Sequence, residues 1–414
     1  MYMRSEAVNT RSDNPEFLRE LSALERGFHL FSKVYPIVIC NVVEVRERLS
    51  QERILRALAA VQRRHPILQT RIVPLPSGGV ALCKSTAEIG VEFNQSKSEI
   101  DWRPMVASGL AMPFSAGDTL ARLSVVEGPE RTVIALFLDH AIADGISSTY
   151  VVEDLLRALG GENIGEGSLL PSAPDLIGSL VSNETSFVKS PAADIAEAMP
   201  SAPAAFPPPY VSTIALSQEE TAALAGRARL EGATVHGALC AALTFSLAES
   251  AGKSSHVLVS PIDLRRIIPV DTRTCSQIFT MLAETLDMSG SFWDIARRSV
   301  SGVEAARSLE AFMIGAQMME NFIPAGSTSA TAHAVMSGGI GENMLSNLGV
   351  IDMPDRYGDL SVEAFWGPMA ANRLDGYHFI GAATYGGSLR LTCSTHELLP
   401  DLLTAMGEHL RNAC

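Results

Sequence analysis

Residues Thr132-Val133-Ile134-Ala135-Leu136-Phe137-Leu138 form an unbroken apolar run rich in β-formers, which reads as a buried strand. The next residues restrict the fold further. Asp139-His140-Ala141-Ile142-Ala143-Asp144-Gly145 puts an imidazole at the strand end and a carboxylate and a glycine just beyond it. Apolar residues then recur at Ile146, Tyr150, Val151, Leu155, Leu156 and Leu159, a spacing that fits one helical face. The chain is thus expected to pass from strand to helix through a short turn carrying His140. Asp144 is placed to cap the helix, and Gly145 omits a side chain where a substrate or another backbone needs to pass. A histidine here suits a general base, although a lone histidine at a strand end is more often a hydrogen-bonded structural residue.

At 414 residues the chain exceeds one typical core and suits two domains of about 200 residues each. With 47% hydrophobic and 19% charged residues, both can bury sizeable cores. The segment from Gly160 to Pro209 is rich in Gly, Pro, Ser and Ala and ends in Ala204-Ala205-Phe206-Pro207-Pro208-Pro209, which marks the connection between halves. The expected organisation is an N-terminal lobe over 1–180, a Pro/Ala-rich linker over 181–209 and a C-terminal lobe over 210–414. Strands are expected near Pro36–Val45, Val80–Cys83, Val211–Ala215 and His256–Ser260, helices near Ser50–Arg64, Ser217–Glu231 and Val235–Ala251, and a hairpin over Gly381–Ser394. Mixed strands and helices in both halves predict an α/β or α+β architecture.

Several function classes lose support from composition. A formal charge of −14, from 32 basic and 46 acidic residues, argues against a broad nucleic-acid surface. Arg63, Arg64 and Arg71 flank His65 and fit a solvated helix face. Cys40, Cys83, Cys240, Cys275, Cys393 and Cys414 show no C-x-x-C pairing, so reduced thiols are expected. The histidines do not cluster at ligand spacing and no H-E-x-x-H occurs, so no metal is predicted. Ser337-Gly338-Gly339-Ile340-Gly341 lacks the surroundings of a nucleotide loop and reads as a flexible loop. No apolar run approaches the roughly 18 residues of a membrane span. Met1 to Glu16 lack the apolar core of a signal peptide, which makes a cytoplasmic location the default expectation.

His140-x-x-x-Asp144-Gly145 after a buried strand resembles the second half of the HHxxxDG motif of the condensation-domain and CoA-dependent acyltransferase superfamily. Further segments match in order. Leu21-Ser22-Ala23-Leu24-Glu25, then Arg53 to Leu58, then His65-Pro66-Ile67-Leu68-Gln69-Thr70-Arg71 resemble its opening strand, helix and HPxLxxR turn. Thr234 to Leu243 resembles its small-residue helix, Pro261-Ile262-Asp263-Leu264-Arg265-Arg266 its PxDLR segment, and Ser346-Asn347-Leu348-Gly349 its SNLG strand. The chain is most similar to the stand-alone polyketide-associated branch that includes phthiocerol dimycocerosyl transferases.

The resemblance implies two chloramphenicol-acetyltransferase-like lobes in a V-shaped pseudo-dimer with a central tunnel. It implies acyl transfer from CoA or a phosphopantetheine carrier protein to an alcohol or amine, with His140 as general base and no permanently bound cofactor. It assigns Asp144 and Arg265 to a supporting ion pair pointing away from the tunnel, Gly145 to the same turn, and Ser346 and Asn347 to contacts with pantetheine or acceptor. An acyl carrier protein is the implied partner.

Asp139 departs from the family, which has histidine there. If it points away from the tunnel, activity survives; if it lies against His140, it favours the imidazolium and weakens the base. The alternative is a non-catalytic or repurposed relative that docks a carrier protein or templates a polyketide rearrangement, with Met281, Phe312, Met313, Met318 and Met319 as a cleft lining or as core residues. His29, His236, His333, His378 and His396 match no motif position for a base.

Overall fold

The computed structural model describes residues 16–76, 78–114, 119–181, 206–252, 254–269, 271–340, 343–397, 399 and 401–414; most of the expected linker, 182–205, lies outside the described residues. The chain begins with β1 (Phe17–Glu20), α1 (Ala23–Ser32), β2 (Val38–Val45), α2 (Gln51–Arg64), β3 (Thr70–Pro74) and β4 (Val80–Lys84). It continues through β5 (Gly90–Gln95), α3 (Arg103–Leu110), β6 (Ala121–Glu127), β7 (Thr132–Asp139), α4 (Gly145–Leu159) and α5 (Ala173–Gly178). After the connection come β8 (Tyr210–Ala215), α6 (Gln218–Leu230), α7 (Val235–Ala251), β9 (Ser255–Asp263), β10 (Phe279–Asp287), α8 (Phe292–Ala306), α9 (Leu309–Phe322) and α10 (Ser329–Ile340). The chain closes with β11 (Asn343–Val350), β12 (Arg356–Tyr357), β13 (Leu360–Met369), β14 (His378–Tyr385), β15 (Ser388–Thr395) and α11 (Leu402–Asn412).

The apolar run becomes β7, buried along its whole length, in a six-stranded sheet of order β12-β13-β2-β7-β6-β5. β2 runs antiparallel to it in unbroken register from Val38 opposite Asp139 to Val45 opposite Thr132. A second six-stranded sheet has the order β10-β9-β11-β14-β15-β8, with β11 parallel to both its neighbours. The fold is mixed α+β with one large sheet centred on each half. Two strands cross this division: β12 and β13 come late in the chain yet complete the first sheet, β13 pairing antiparallel with β2.

The sheets meet where β13 passes β14. A Cβ at Gly381 would lie 1.8 Å from the Pro368 carbonyl oxygen, so only glycine lets the two backbones come this close. On the second sheet α7 is apolar all round because it is covered all round, Ala238 to Leu243 being fully buried. A Cβ at Gly237 would lie 2.3 Å from Ala296 O, and its absence seats α7 against α8. Among the described residues no single helix is long and apolar enough to cross a membrane, although the bent pair of α6 and α7 passes by length and composition.

Two expectations are corrected. Leu21–Glu25 is not a strand: Ser22 caps α1, its hydroxyl accepting from Glu25 N–H while the Glu25 carboxylate accepts from Ser22 N–H, a capping box. The glycine-rich loop is a helix as far as Ile340, with Gly341 outside the described residues. Ala332 and Met336 of α10 bury against Phe28 and Phe31 of α1, and that packing outweighs a glycine penalty of about 1 kcal/mol per residue.

Candidate active site

The ladder around β7 closes with Asp139 N–H donating to Leu120 O at 2.9 Å and His140 N–H to Ile37 O at 3.1 Å. The chain then turns. Asp139 Oδ1 accepts the Ala141 N–H at 2.8 Å, and Ile142 N–H donates to Asp139 O at 3.1 Å. Asp144 starts α4, its Oδ1 accepting Ser147 N–H at 2.7 Å while Ser147 Oγ accepts Asp144 N–H at 3.0 Å. His140 is left just beyond the strand, partly exposed, between sheet and helix.

Residues 264–278, from the other half of the chain, lay donors against the acceptors of this turn. Arg265 Nη1 lies 2.9 Å from Asp144 Oδ2, and the Ile278 N–H donates to the same oxygen at 2.7 Å. Gln277 Nε2 donates to His140 O, and Cys275 Sγ to Ile142 O at 3.6 Å. The segment is itself anchored, because Cys275 N–H donates to His65 Nδ1 at 3.1 Å and His65 Nε2 lies 3.1 Å from Asp154 Oδ2 on α4. His65, fully buried, thus ties α2, α4 and this segment together. Asp144 and Arg265 meet through one oxygen and one nitrogen, and the guanidinium also reaches Asp263 Oδ1 at 3.0 Å and Ser276 O at 3.1 Å.

His140 borders a cavity that is partly open to solvent. Phe28, Phe279, Met281, Met344, Tyr377 and Phe379 line it with apolar surface, while Asp144, Asp263, Arg265, Ser346 and Asn347 supply polar groups. The resemblance has Asp144 pointing away; here it borders the cavity with its oxygens turned to Ser147, Ile278 and Arg265. A Cβ at Gly145 would lie 2.9 Å from Leu348 Cδ2 and 3.6 Å from Ser346 Oγ, so this glycine lets α4 approach β11. Ser346 is 8% exposed, and Asn347 Oδ1 accepts Gly349 N–H at 2.9 Å. Asp139 does not line the cavity.

The imidazole of His140 stacks on Phe28 with ring centres 4.0 Å apart and planes 5° from parallel. Burial lowers its pKa to about 4, although Asp144 and the nearby carbonyls of His140 and Ala143 favour a proton on the ring. The ring is therefore neutral throughout the neutral range. Burial raises the Asp139 carboxyl to about 6, opposed by the Ala141 N–H and by Arg122.

Of the methionine and phenylalanine candidates only Met281 lines this cavity. Phe312 and Met313 pack into a core with Ile177, Leu264 and Ile278, Met319 packs beside α1, and Met318 is 51% exposed. The five other histidines weighed above lie outside it: His333 stacks on Phe31 at 5.3 Å and His236 sits beside Cys240. Sequence reasoning missed Phe28, Gln277 and Phe279, which reach His140 from α1, the 264–278 segment and β10. Among the described residues no three His, Cys, Asp or Glu side chains converge as a metal site would require.

Residues 207–392 match the family profile described as the phthiocerol/phthiodiolone dimycocerosyl transferase C-terminus. Tyrocidine synthase 3 of Brevibacillus parabrevis is 26% identical over 119 residues, which is 28% of this chain and 2% of that protein. Polyketide synthase associated protein 5 from Mycobacterium tuberculosis has a similar structure, with a TM-score of 0.66 and 16% identity over 96% of this chain and 98% of that one. Trichothecene 15-O-acetyltransferase TRI3 from Fusarium sporotrichioides superposes with a TM-score of 0.68 at 14% identity, covering 95% of each chain. The first condensation domain of the CDA synthetase gives 0.63 at 14%, covering 96% of this chain and 95% of that one. Over nearly its whole length the chain therefore has the condensation-domain fold, and over residues 207–392 it is similar to the C-terminal part of the phthiocerol/phthiodiolone dimycocerosyl transferases.

Proposed function

We propose that this protein transfers an acyl group from a CoA or carrier-protein thioester to an alcohol or amine, in polyketide or related secondary metabolism, with His140 as general base. The observation that carries this reading is a neutral imidazole facing a largely apolar cavity, on a turn held by donors from the other half of the chain.

The acceptor O–H or N–H gives its proton to the imidazole while its lone pair attacks the thioester carbonyl. The tetrahedral anion collapses, the C–S bond breaks, and the leaving thiolate takes the proton back. A ring with a pKa near 4 is a weak base, and it holds the proton only while the anion faces it. No acyl-enzyme is required, because two substrates held against one base already form an ordered complex. Asp144, Arg265, Gly145 and Asp139 keep the turn in place, and Ser346 and Asn347 contact pantetheine or acceptor. The reading takes residues 1–180 and 210–414 as two lobes of a V joined by 181–209, with substrates entering a tunnel from opposite faces. It places the reaction in the cytoplasm with an acyl carrier protein as donor partner, docked on a local basic patch because the protein is net acidic.

A second reading rests on Asp139, a carboxyl where the related motif has histidine: a cleft that docks a carrier protein or templates a rearrangement without transferring an acyl group. Thiol release from a panel of short- to long-chain acyl-thioesters decides between them. Release that disappears in a folded His140→Ala variant supports the transferase, whereas equal release, or none, in both proteins sinks it.

A further inference from the structure

We propose that Phe28 is the positioning residue for His140, setting the plane of the imidazole by stacking on its face; this rests on the reading of His140 as the base. The backbone of His140 is held at both ends, by Ile37 O on its N–H and by Gln277 on its carbonyl. Those bonds fix the Cα and leave the ring free to turn, because the last torsion of a histidine side chain is broad. A catalytic imidazole is usually oriented by a hydrogen bond to its second nitrogen. Here the carbonyls of His140 and Ala143 lie near the ring, but the buried Nδ1 meets neither at full hydrogen-bonding geometry.

The phenyl ring takes over that task. It lies parallel to the imidazole within 5° at 4.0 Å, so rotation of His140 would drive its edge into the face of Phe28. Phe279 closes a further side, its centre 6.1 Å from His140 and 6.5 Å from Phe28.

The stacking plate is rigid in its own right. Phe28 is 4% exposed, and the preceding turn of α1 is tied to α9 by Arg26, whose Nε donates to Ile323 O at 2.9 Å and whose Nη2 lies 3.0 Å from Glu320 Oε2. On the next turn Phe31 stacks on His333 of α10. The base is thus aimed by a helix remote from it in sequence, through a contact that carries no charge and forms no bond.

The test uses the full chain and reads the ring directly. The His140 resonance, assigned by its loss in His140→Gln, should lie upfield of ordinary histidines and show cross-peaks to the Phe28 ring. Phe28→Leu keeps apolar bulk without a flat face; it should return the resonance to the ordinary position and lower kcat for thiol release from an acetyl- to dodecanoyl-CoA panel by roughly a hundredfold, with KM little changed. Phe28→Tyr should recover the upfield shift and much of the rate. An unshifted His140 signal in the wild-type protein overturns the stack without needing any variant to fold, and a loss carried by KM alone overturns the positioning role. A wild-type protein that releases no thiol overturns the reading of His140 as base, a failure visible separately from the resonance.

Discussion

Asp139 is a carboxyl with 5% of its surface exposed, fastened to the Ala141 N–H, and burial has lifted its pKa to about 6. In an unfolded chain the value is about 3.9. Between these values the folded protein holds a proton that the unfolded chain has released, so the residue opposes folding above about pH 6 and stops doing so as the pH falls toward 4. Asp139→Asn retains an oxygen for Ala141 and should stabilise by up to about 3 kcal/mol at pH 8 and by almost nothing at pH 4; urea melts that show the same gain at both would place its origin elsewhere. His140 has the opposite sign. Held neutral down to about 4, it refuses a proton that the unfolded chain accepts below about 6.5, so its contribution to stability falls as the pH drops between those values. His140, Asp144 and Gly145 were legible because strand, imidazole and cap are written within one short stretch. Phe28 and Gln277 were not, since Gln277 meets His140 across 137 positions and nothing local to either residue marks a contact at that range.

The element that decides the shape of the site is the connection between β9 and β10, of which residues 264–269 and 271–278 are described. It contributes no group that accepts a proton from substrate; it places a guanidinium, two backbone or side-chain N–H donors and a thiol on the acceptors of the 140–144 turn. Arg265 and Asp144 are 8% and 4% exposed, so removing Arg265 leaves the Asp144 carboxylate buried with N–H donors alone, whereas removing Asp144 still leaves the guanidinium Asp263. Arg265→Ala should lower unfolding free energy by about 3–5 kcal/mol. In a denaturant cycle with Asp144→Asn the double variant should lose clearly less than the two single losses added; strict additivity would show that the pair does not act as a unit. Continuous apolar runs and capped helices made β7, α2, α4 and α7 readable from the sequence. α10 was not readable, since its Gly, Ser and Ala residues carry no clean local period and become helical through burial against α1, whereas α8 announces itself by a Ser291–Asp294 capping box and one apolar face. The resemblance pointed to Arg265 of the PxDLR stretch as the partner of Asp144, but nothing in the sequence pointed to Ile278 and Gln277, which join it on the turn.

At the scale of the molecule, β13 joins the halves by completing the sheet of the first half from the second half of the chain. It lies against β2, every residue of which is buried, and touches β14 at the Pro368–Gly381 approach. A fragment ending at residue 209 would leave β2 as a bare apolar edge. Expressed alone it should be insoluble or aggregated, and co-expression with 210–414 should return a one-to-one complex on gel filtration; a monomeric, cooperatively melting N-terminal fragment would refute this. The two sheets were foreseeable from mixed strands and helices in both halves. The exchange was not, because an apolar strand such as Leu360–Met369 carries no mark of which sheet it will join. It also sets a timetable for synthesis. The first sheet is not complete until Met369 has left the ribosome, about 10–50 seconds after β7 has emerged at about 5–20 residues per second. Throughout that interval the nascent chain presents the β13-facing edge of β2 unpaired, so its yield in a cell depends on what shields that edge during translation as much as on the stability of the finished protein.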